Sequence, residues 1–258
     1  MDLGIRGKTA LVCAGSKGLG YGCAEALAEA GVNLILNART EVPLEEAAER
    51  LRRHGVEVRT VAADIATEDG QRKVLAVAGD VDILVNNAGG PPPGVWSDWG
   101  RADFQKALDA NMLAPIAMMT AIMPKMIEKG WGRVVNITSQ SVRAPISQLG
   151  LSNAARTGLT GYVAGTSRQV APHGVIVNNL LPGTHATARS DALDKGRAAR
   201  EGVDEAEARR RGEAAIPAGH YGDAGDFGAI CAFLCSQQAR FIVGQNILVD
   251  GGSVNLTM

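Results

Sequence analysis

Short apolar runs recur along the chain, separated by longer stretches with helical spacing of their apolar residues. The runs are Thr9 to Cys13, Asn33 to Asn37, Val56 to Ala62, Asp82 to Asn86, Arg133 to Thr138, Val175 to Leu181 and Asn246 to Val249. Near-continuous apolar runs of this length suit strands buried on both faces. Strands alternating with helices favour a parallel sheet, because each crossover must pack back on the sheet it left. The predicted fold is therefore α/β, doubly wound in three layers (α/β/α), with a seven-stranded parallel sheet. Ligands are expected at the carboxyl ends of its strands.

No internal repeat or low-complexity linker divides the 258 residues, so a single domain over 1–258 is expected. From Ala188 to His220 the β rhythm stops and charged residues crowd together, which predicts a helical lid at about 188–220 over the ligand crevice. The triplet Arg209 to Arg211 has acidic neighbours and reads as a solvated helix face. Met112, Met118, Met119, Met123 and Met126 fall in one long helical segment, where thioethers fill core gaps or subunit contacts.

Lys plus Arg total 26 against 27 for Asp plus Glu, a formal net charge of -1, which gives no bulk pull toward nucleic acid or an anionic membrane. A small-molecule partner is expected. The apolar content of 46% is ordinary, and runs such as Val175 to Leu181 are too short to span a bilayer. A strand-like run begins within ten residues of Met1, leaving no room for a cleavable leader, so a cytoplasmic location is expected. Cys13, Cys23, Cys231 and Cys235 show no paired CxxC spacing and read as reduced core thiols, with no metal site.

The first run leads into Ala14, Gly15, Ser16, Lys17, Gly18, Leu19 and Gly20, followed by an Ala-rich helix from near Tyr21. Glycines at a strand-to-helix turn let backbone N–H groups approach a diphosphate, which then sits at the positive end of the helix dipole. This order predicts a dinucleotide site of the Rossmann kind. After the second run an NAD site would carry an acid for the adenosine ribose; here Arg39 follows instead. Lys17 and Arg39 suit a 2′-phosphate, so NADPH is expected and NADH is the weaker alternative.

With these motifs the chain resembles the short-chain dehydrogenase/reductase family from about residue 5 to residue 252. The family's TGxxxGxG turn matches Cys13 to Gly20, its adenine-contacting Asp matches Asp64, and its NNAG motif matches Asn86, Asn87, Ala88 and Gly89. Asn111 falls on the family's helix Asn, Ser139 on its catalytic Ser, and Pro182-Gly183 on its PG turn. Val243 to Gln245 and Val249 to Gly252 match its C-terminal signature. The resemblance implies cofactor contacts from Asp64, Ile65, Asn87, Ala88, Gly89, Pro182, Gly183 and Thr187. The similar subgroup is the β-ketoacyl-acyl-carrier-protein reductase type, which implies NADPH and a cytoplasmic homo-oligomer, a tetramer or a dimer.

Two positions depart from the family pattern. Ala14 stands where the family has its first Gly, placing a methyl near a close backbone approach. The family's Tyr-xxx-Lys pair, thirteen residues past its Ser, corresponds to Ser152 and Arg156. The nearest tyrosine, Tyr162, lies beyond Arg156.

Carbonyl reduction needs a proton for the developing alkoxide, and a positioned acid typically contributes about 10² to 10⁴ in rate. An aliphatic hydroxyl such as that of Ser152 is a poor acid but can orient water or a substrate oxygen. Arg156 can hold the nicotinamide ribose and maintain a positive field, without exchanging protons near neutrality. Ser139 would hold the reacting oxygen, and Asn111 would anchor a water, as the resemblance implies. The proton source is open between His185 in the loop after Pro182-Gly183, His220, and water held by Ser139 or Ser152. The expected function is NADPH-dependent reduction of a 3-oxoacyl-like ketone or an imine with an atypical proton donor. The alternative is a catalytically silent dinucleotide-binding protein with a sensing or assembly role; non-redox chemistry on the same scaffold ranks last.

Overall fold

The structure is a computed structural model that describes residues 2–257. Its strands are β1 (Thr9–Val12), β2 (Asn33–Ala38), β3 (Val58–Ala62), β4 (Ile83–Asn86), β5 (Gly132–Ile137), β6 (Val175–Pro182) and β7 (Asn246–Val249). All seven pair in parallel in one sheet of order β3-β2-β1-β4-β5-β6-β7. The chain winds outward from β1 to β3, then returns to β4 beside β1. Adjacent crossovers there leave on opposite faces, which opens a crevice at the carboxyl ends of β1 and β4.

One face of the sheet carries α1 (Gly18–Glu29) and α2 (Glu41–Arg52). The other carries α3 (Glu68–Ala78), then α4 (Arg101–Leu108), α5 (Ala114–Glu128) and α6 (Gly150–Val170). After β6 come α7 (Ala188–Glu201) and α8 (Glu205–Ala214), and then α9 (Ala224–Leu234), which returns to the face of α1. The predicted helical stretch at 188–220 is thus two helices. The Arg triplet on α8 is salt-linked: Arg209 pairs with Glu213, Arg210 with Glu207, and Arg211 with both Glu207 and Glu201.

The predicted strands all form, with ends displaced by at most two residues. The largest shift is at β3, which starts at Val58 rather than Val56; β3 is a sheet edge with Arg59 and Ala62 exposed, so burial defines its ends weakly. Helix α1 begins at Gly18, ahead of Tyr21, because the glycines of the turn themselves take the first helical positions. Arg101–Glu128 is long and apolar enough to cross a membrane by length and composition. In the fold, however, Met118, Met119 and Met126 are fully buried in the core that α5 forms with the sheet.

Helices α1 and α9 cross at contact distance. A Cβ on Gly22 would lie 2.1 Å from the Ala224 carbonyl oxygen, and one on Gly228 would lie 2.1 Å from that of Gly22. All four cysteines are free and buried, and no cluster able to hold a metal occurs among the described residues. Burial pushes the Cys13 thiol up to about 12, which fits the role of a core side chain. In an exposed helix Gly→Ala gains about 1 kcal/mol. Here Gly228→Ala should instead destabilise by on the order of 3 kcal/mol through overpacking, measured by urea unfolding.

Candidate active site

At the end of β1 the backbone turns sharply at Ala14, whose φ of 47° is the single positive value among described non-glycine residues. The turn therefore takes its shape with a methyl present. Gly20 is indispensable in a different way: a Cβ there would meet the Ala14 carbonyl oxygen at 2.3 Å and Asn87 Nδ2 at 2.7 Å. Asn87 Nδ2 donates to the Ala14 carbonyl at 3.4 Å, tying the turn to the end of β4. Lys17 precedes α1 in extended conformation, no side chain caps the helix, and its first turn holds no acid. The first-turn N–H groups are thus left for a ligand, and an anion at this helix end meets no competing carboxylate. Lys17 and Arg39 are both exposed, Ser16 is half-buried, and Ile65 is buried beside exposed Asp64. These residues fit a dinucleotide diphosphate with an added phosphate on the adenosine side.

Toward the middle of the sheet, side-chain amides form a buried ladder. Asn86 Nδ2 donates to Asn136 Oδ1 at 2.9 Å, Asn136 Nδ2 to Asn179 Oδ1 at 3.2 Å, and Asn179 Nδ2 to Asn246 Oδ1 at 2.8 Å. The ladder locks the register of β4 to β7 at the level where β4 ends and β7 begins.

Above it lies Arg156, 7% exposed on α6. Its Nη1 donates to the carbonyls of Ile137 and Thr138, both at 2.8 Å, and Nη2 reaches that of Ala88 at 3.5 Å. Burial first, and the nearby Arg189 second, pull this guanidinium down to about 10. Ser139 lies two residues past the end of β5, and its Oγ accepts from the Ser141 amide at 3.1 Å, leaving its own proton to donate. Ser152, 5% exposed, sits in the first turn of α6, where the helix dipole favours negative charge.

Asn111 falls in a π turn, Asp109–Leu113, between α4 and α5. Such turns are frequent at functional sites because they re-aim a side chain. Its Nδ2 donates to the Ala107 carbonyl at 3.4 Å while the buried Oδ1 has no protein partner. It also lines a cavity of about 520 Å³ with Gly89, Gly90, Pro91, Trp99 and Leu151.

His185 is placed differently. Its ring is 5% exposed, meets Phe227 edge-on at 5.2 Å, and through Nδ1 donates to the Gly183 carbonyl at 3.2 Å. With His220 and Asp250 it lines a separate cavity of about 160 Å³. Burial holds its pKa below the ordinary imidazole value. Thr187 packs across the glycine turn, 3.6 Å from where a Gly18 Cβ would lie. The next turn brings Arg189 onto the carbonyls of Gly90 and Pro91 at 3.2 and 3.1 Å. Sequence reasoning did not single out Arg189; its spacing two residues past Thr187 was the available signal.

A doubly wound sheet with a phosphate-cradling turn and a serine-bearing reaction end defines a dinucleotide-binding protein of oxidoreductase type. Residues 8–198 match the short chain dehydrogenase family, and the chain belongs to that family. It is 31% identical over 260 residues to D-beta-hydroxybutyrate dehydrogenase of Cupriavidus necator, covering 97% of this chain and 99% of that one. It is 28% identical over 258 residues to 3-oxoacyl-acyl-carrier-protein reductase FabG of Aquifex aeolicus, covering 98% and 99%. L-sorbose reductase from Gluconobacter frateurii, crystallised with NADPH and L-sorbose, superposes with a TM-score of 0.94 at 27% identity, covering 99% and 100%.

Two outcomes test this geometry. Ala14→Gly should relieve left-handed strain and stabilise the chain by on the order of 1 kcal/mol in urea unfolding, less the entropy glycine adds to the unfolded state. Because burial lowers the His185 pKa in the folded state, the unfolded state binds its proton first as pH falls. Stability is expected to drop as pH falls below the ordinary imidazole value, and thermal unfolding of His185→Leu should show a flatter pH profile.

Proposed function

We propose that the chain is an NADPH-dependent reductase of a carbonyl, such as a 3-oxoacyl-like ketone, or of an imine, with water in place of a phenol as the proton source. The observation that supports this reading is the group of polar side chains gathered at the reaction end, with Ser152 and Arg156 where the family pattern has Tyr and Lys. Ser139 keeps a free hydroxyl proton, Asn111 keeps an unpartnered oxygen, and Arg156 keeps a buried positive charge.

Ala14 to Gly20 would hold the diphosphate, Lys17 and Arg39 the 2′-phosphate, and Asp64 and Ile65 the adenine. Asn87 to Gly89, Arg156, Pro182, Gly183 and Thr187 would hold the nicotinamide end. NADPH, when bound, supplies hydride to the substrate carbon. Ser139 donates to the reacting oxygen, and the field of Arg156 with the α6 dipole stabilises negative charge developing there. Ser152, too weak an acid to replace a phenol, orients a water at the reacting oxygen, through which a proton from bulk solvent reaches the alkoxide. His185 is better suited to packing than to proton transfer, since its ring is engaged with Phe227 and Gly183. Helices α7 and α8 act as the lid. The reductase and dehydrogenase names of the relatives support chemistry at a carbon–oxygen bond.

Replacement of the phenol and lysine by Ser152 and Arg156 favours a second reading, a silent dinucleotide-binding protein. Turnover separates the two. NADPH should bind more tightly than NADH, and Arg39→Ala should weaken NADPH by about tenfold or more while sparing NADH. Ser139→Ala should lower kcat by about 10²-fold. Tight NADPH binding without oxidation above background, across ketones, oxo acids, acyl thioesters and cyclic imines, would leave the silent reading standing.

A further inference from the structure

The cavity of about 160 Å³ beside His185 has walls from four parts of the chain: Thr184 and His185 after β6, His220 and Gly222 before α9, Asp226 in the first turn of α9, and Asp250 after β7. Backbone bonds strap two of these walls together. The Gly222 amide donates to the Thr184 carbonyl at 3.0 Å, and the Ala186 amide to that of Gly222 at 2.8 Å.

The two imidazoles present acceptors. His185 Nδ1 is bonded to the Gly183 carbonyl at 3.2 Å and His220 Nδ1 to the Tyr221 carbonyl at 2.8 Å. A carbonyl only accepts, so each Nδ1 carries the proton, and in a neutral ring Nε2 is then a bare acceptor. Burial favours the neutral ring at His185. Neither Nε2 has a protein partner among the described residues. That of His185 belongs to a residue only 5% exposed, and it lies 2.8 Å from where a Cβ would stand on Gly222, another residue of the cavity wall.

The carboxylates add negative charge. Asp226 has no partner among the described residues, because Asp223 takes the capping role by accepting from the Gly225 amide at 2.6 Å. Asp250 accepts from the amides of Gly252 and Val254 at 3.0 and 2.9 Å and keeps its charge. No Lys or Arg lines the cavity, so an anion is disfavoured there even beside a helix N-terminus. A bare metal ion is disfavoured as well, since no three His, Cys, Asp or Glu side chains among the described residues close on one point. The lining suits a polyatomic cation that spreads several N–H donors over its surface.

We infer that this cavity is a binding site for a small primary alkylammonium ion, whose N–H groups donate to Nε2 of His185 and His220 while its charge faces Asp226 and Asp250. None of Ser139, Ser152 and Arg156 lines it, so the occupant is distinct from the reacting substrate and the inference stands apart from the reductase reading.

The test is a ¹⁵N NMR titration of the uniformly labelled full chain, without cofactor, with propylammonium chloride at about pH 8, where free imidazole is neutral. The chain's 4 histidines report separately, and exposed His54 and His173 serve as internal controls. The Nε2 resonances of His185 and His220 should shift saturably while those of His54 and His173 stay in place. Tetramethylammonium, which lacks N–H donors, and 1-propanol, which lacks charge, should bind about tenfold or more weakly. Asp226→Asn should weaken propylammonium by about tenfold, whereas Asp69→Asn, which removes the same charge from the exposed face of α3, should change it by less than about twofold. His220→Leu should weaken binding by about fivefold and leave the His185 resonance responsive. Absence of a saturable shift at either ring, an equal response to tetramethylammonium, or equal effects of the two Asp variants would overturn the inference. Zinc chloride moving both rings where propylammonium moves neither would make the cavity a metal site and end the inference too.

Discussion

Burial of Arg156 is the constraint around which the reaction end is organised. A guanidinium removed from water must find acceptors, and here they are the carbonyls at the end of β5 and the one just past β4. By drawing these together the side chain fixes where Ser139 leaves the sheet and where the Ala88 segment begins. Arginine can do this because its planar fork serves several carbonyls at once; a lysine at the same place would present a compact point charge. On the proposed reading, a hydroxyl beside a fixed positive field would stand where the family pattern has a proton-handling pair.

That field needs a rigid floor, which the asparagine ladder provides. A buried amide costs stability unless its donors and acceptors are paired, and the four asparagines pair with one another across four strands. Such a ladder is satisfied in one register only, so the carboxyl ends of β4 to β7 stand at a defined height beneath the site. On the other side of the crevice, Asn87 links the glycine turn to β4, so that the phosphate cradle and the reaction end share one support.

Ala14 shows how far the family's pattern can bend. The left-handed conformation that glycine adopts freely is adopted here by alanine, and the surrounding contacts hold it there. The turn tolerates this because the position with no spare room is Gly20, where a methyl would meet backbone. Position 14 costs conformational strain, whereas position 20 would cost a steric collision.

The sequence by itself determined the sheet, its order of elements and the phosphate turn, because burial on both faces and the strand-to-helix glycines leave few other ways to pack. Ser139, Asn111, Ser152 and Arg156 were singled out by resemblance to a family motif, not by pattern or spacing alone. Only the tertiary structure decided what faces what. The π turn at Asn111 is a register defect with no compositional mark. The ring of His185, beside the PG turn in sequence, packs on Phe227 of α9, a helix some forty residues further on. Arg189 lies in the charged stretch read only as a lid, and its contact with Gly90 joins residues ninety-nine apart. Local propensity acts over a turn or two, while these contacts arise from how the lid and α9 fold back over the sheet, a long-range choice that no short window of sequence encodes.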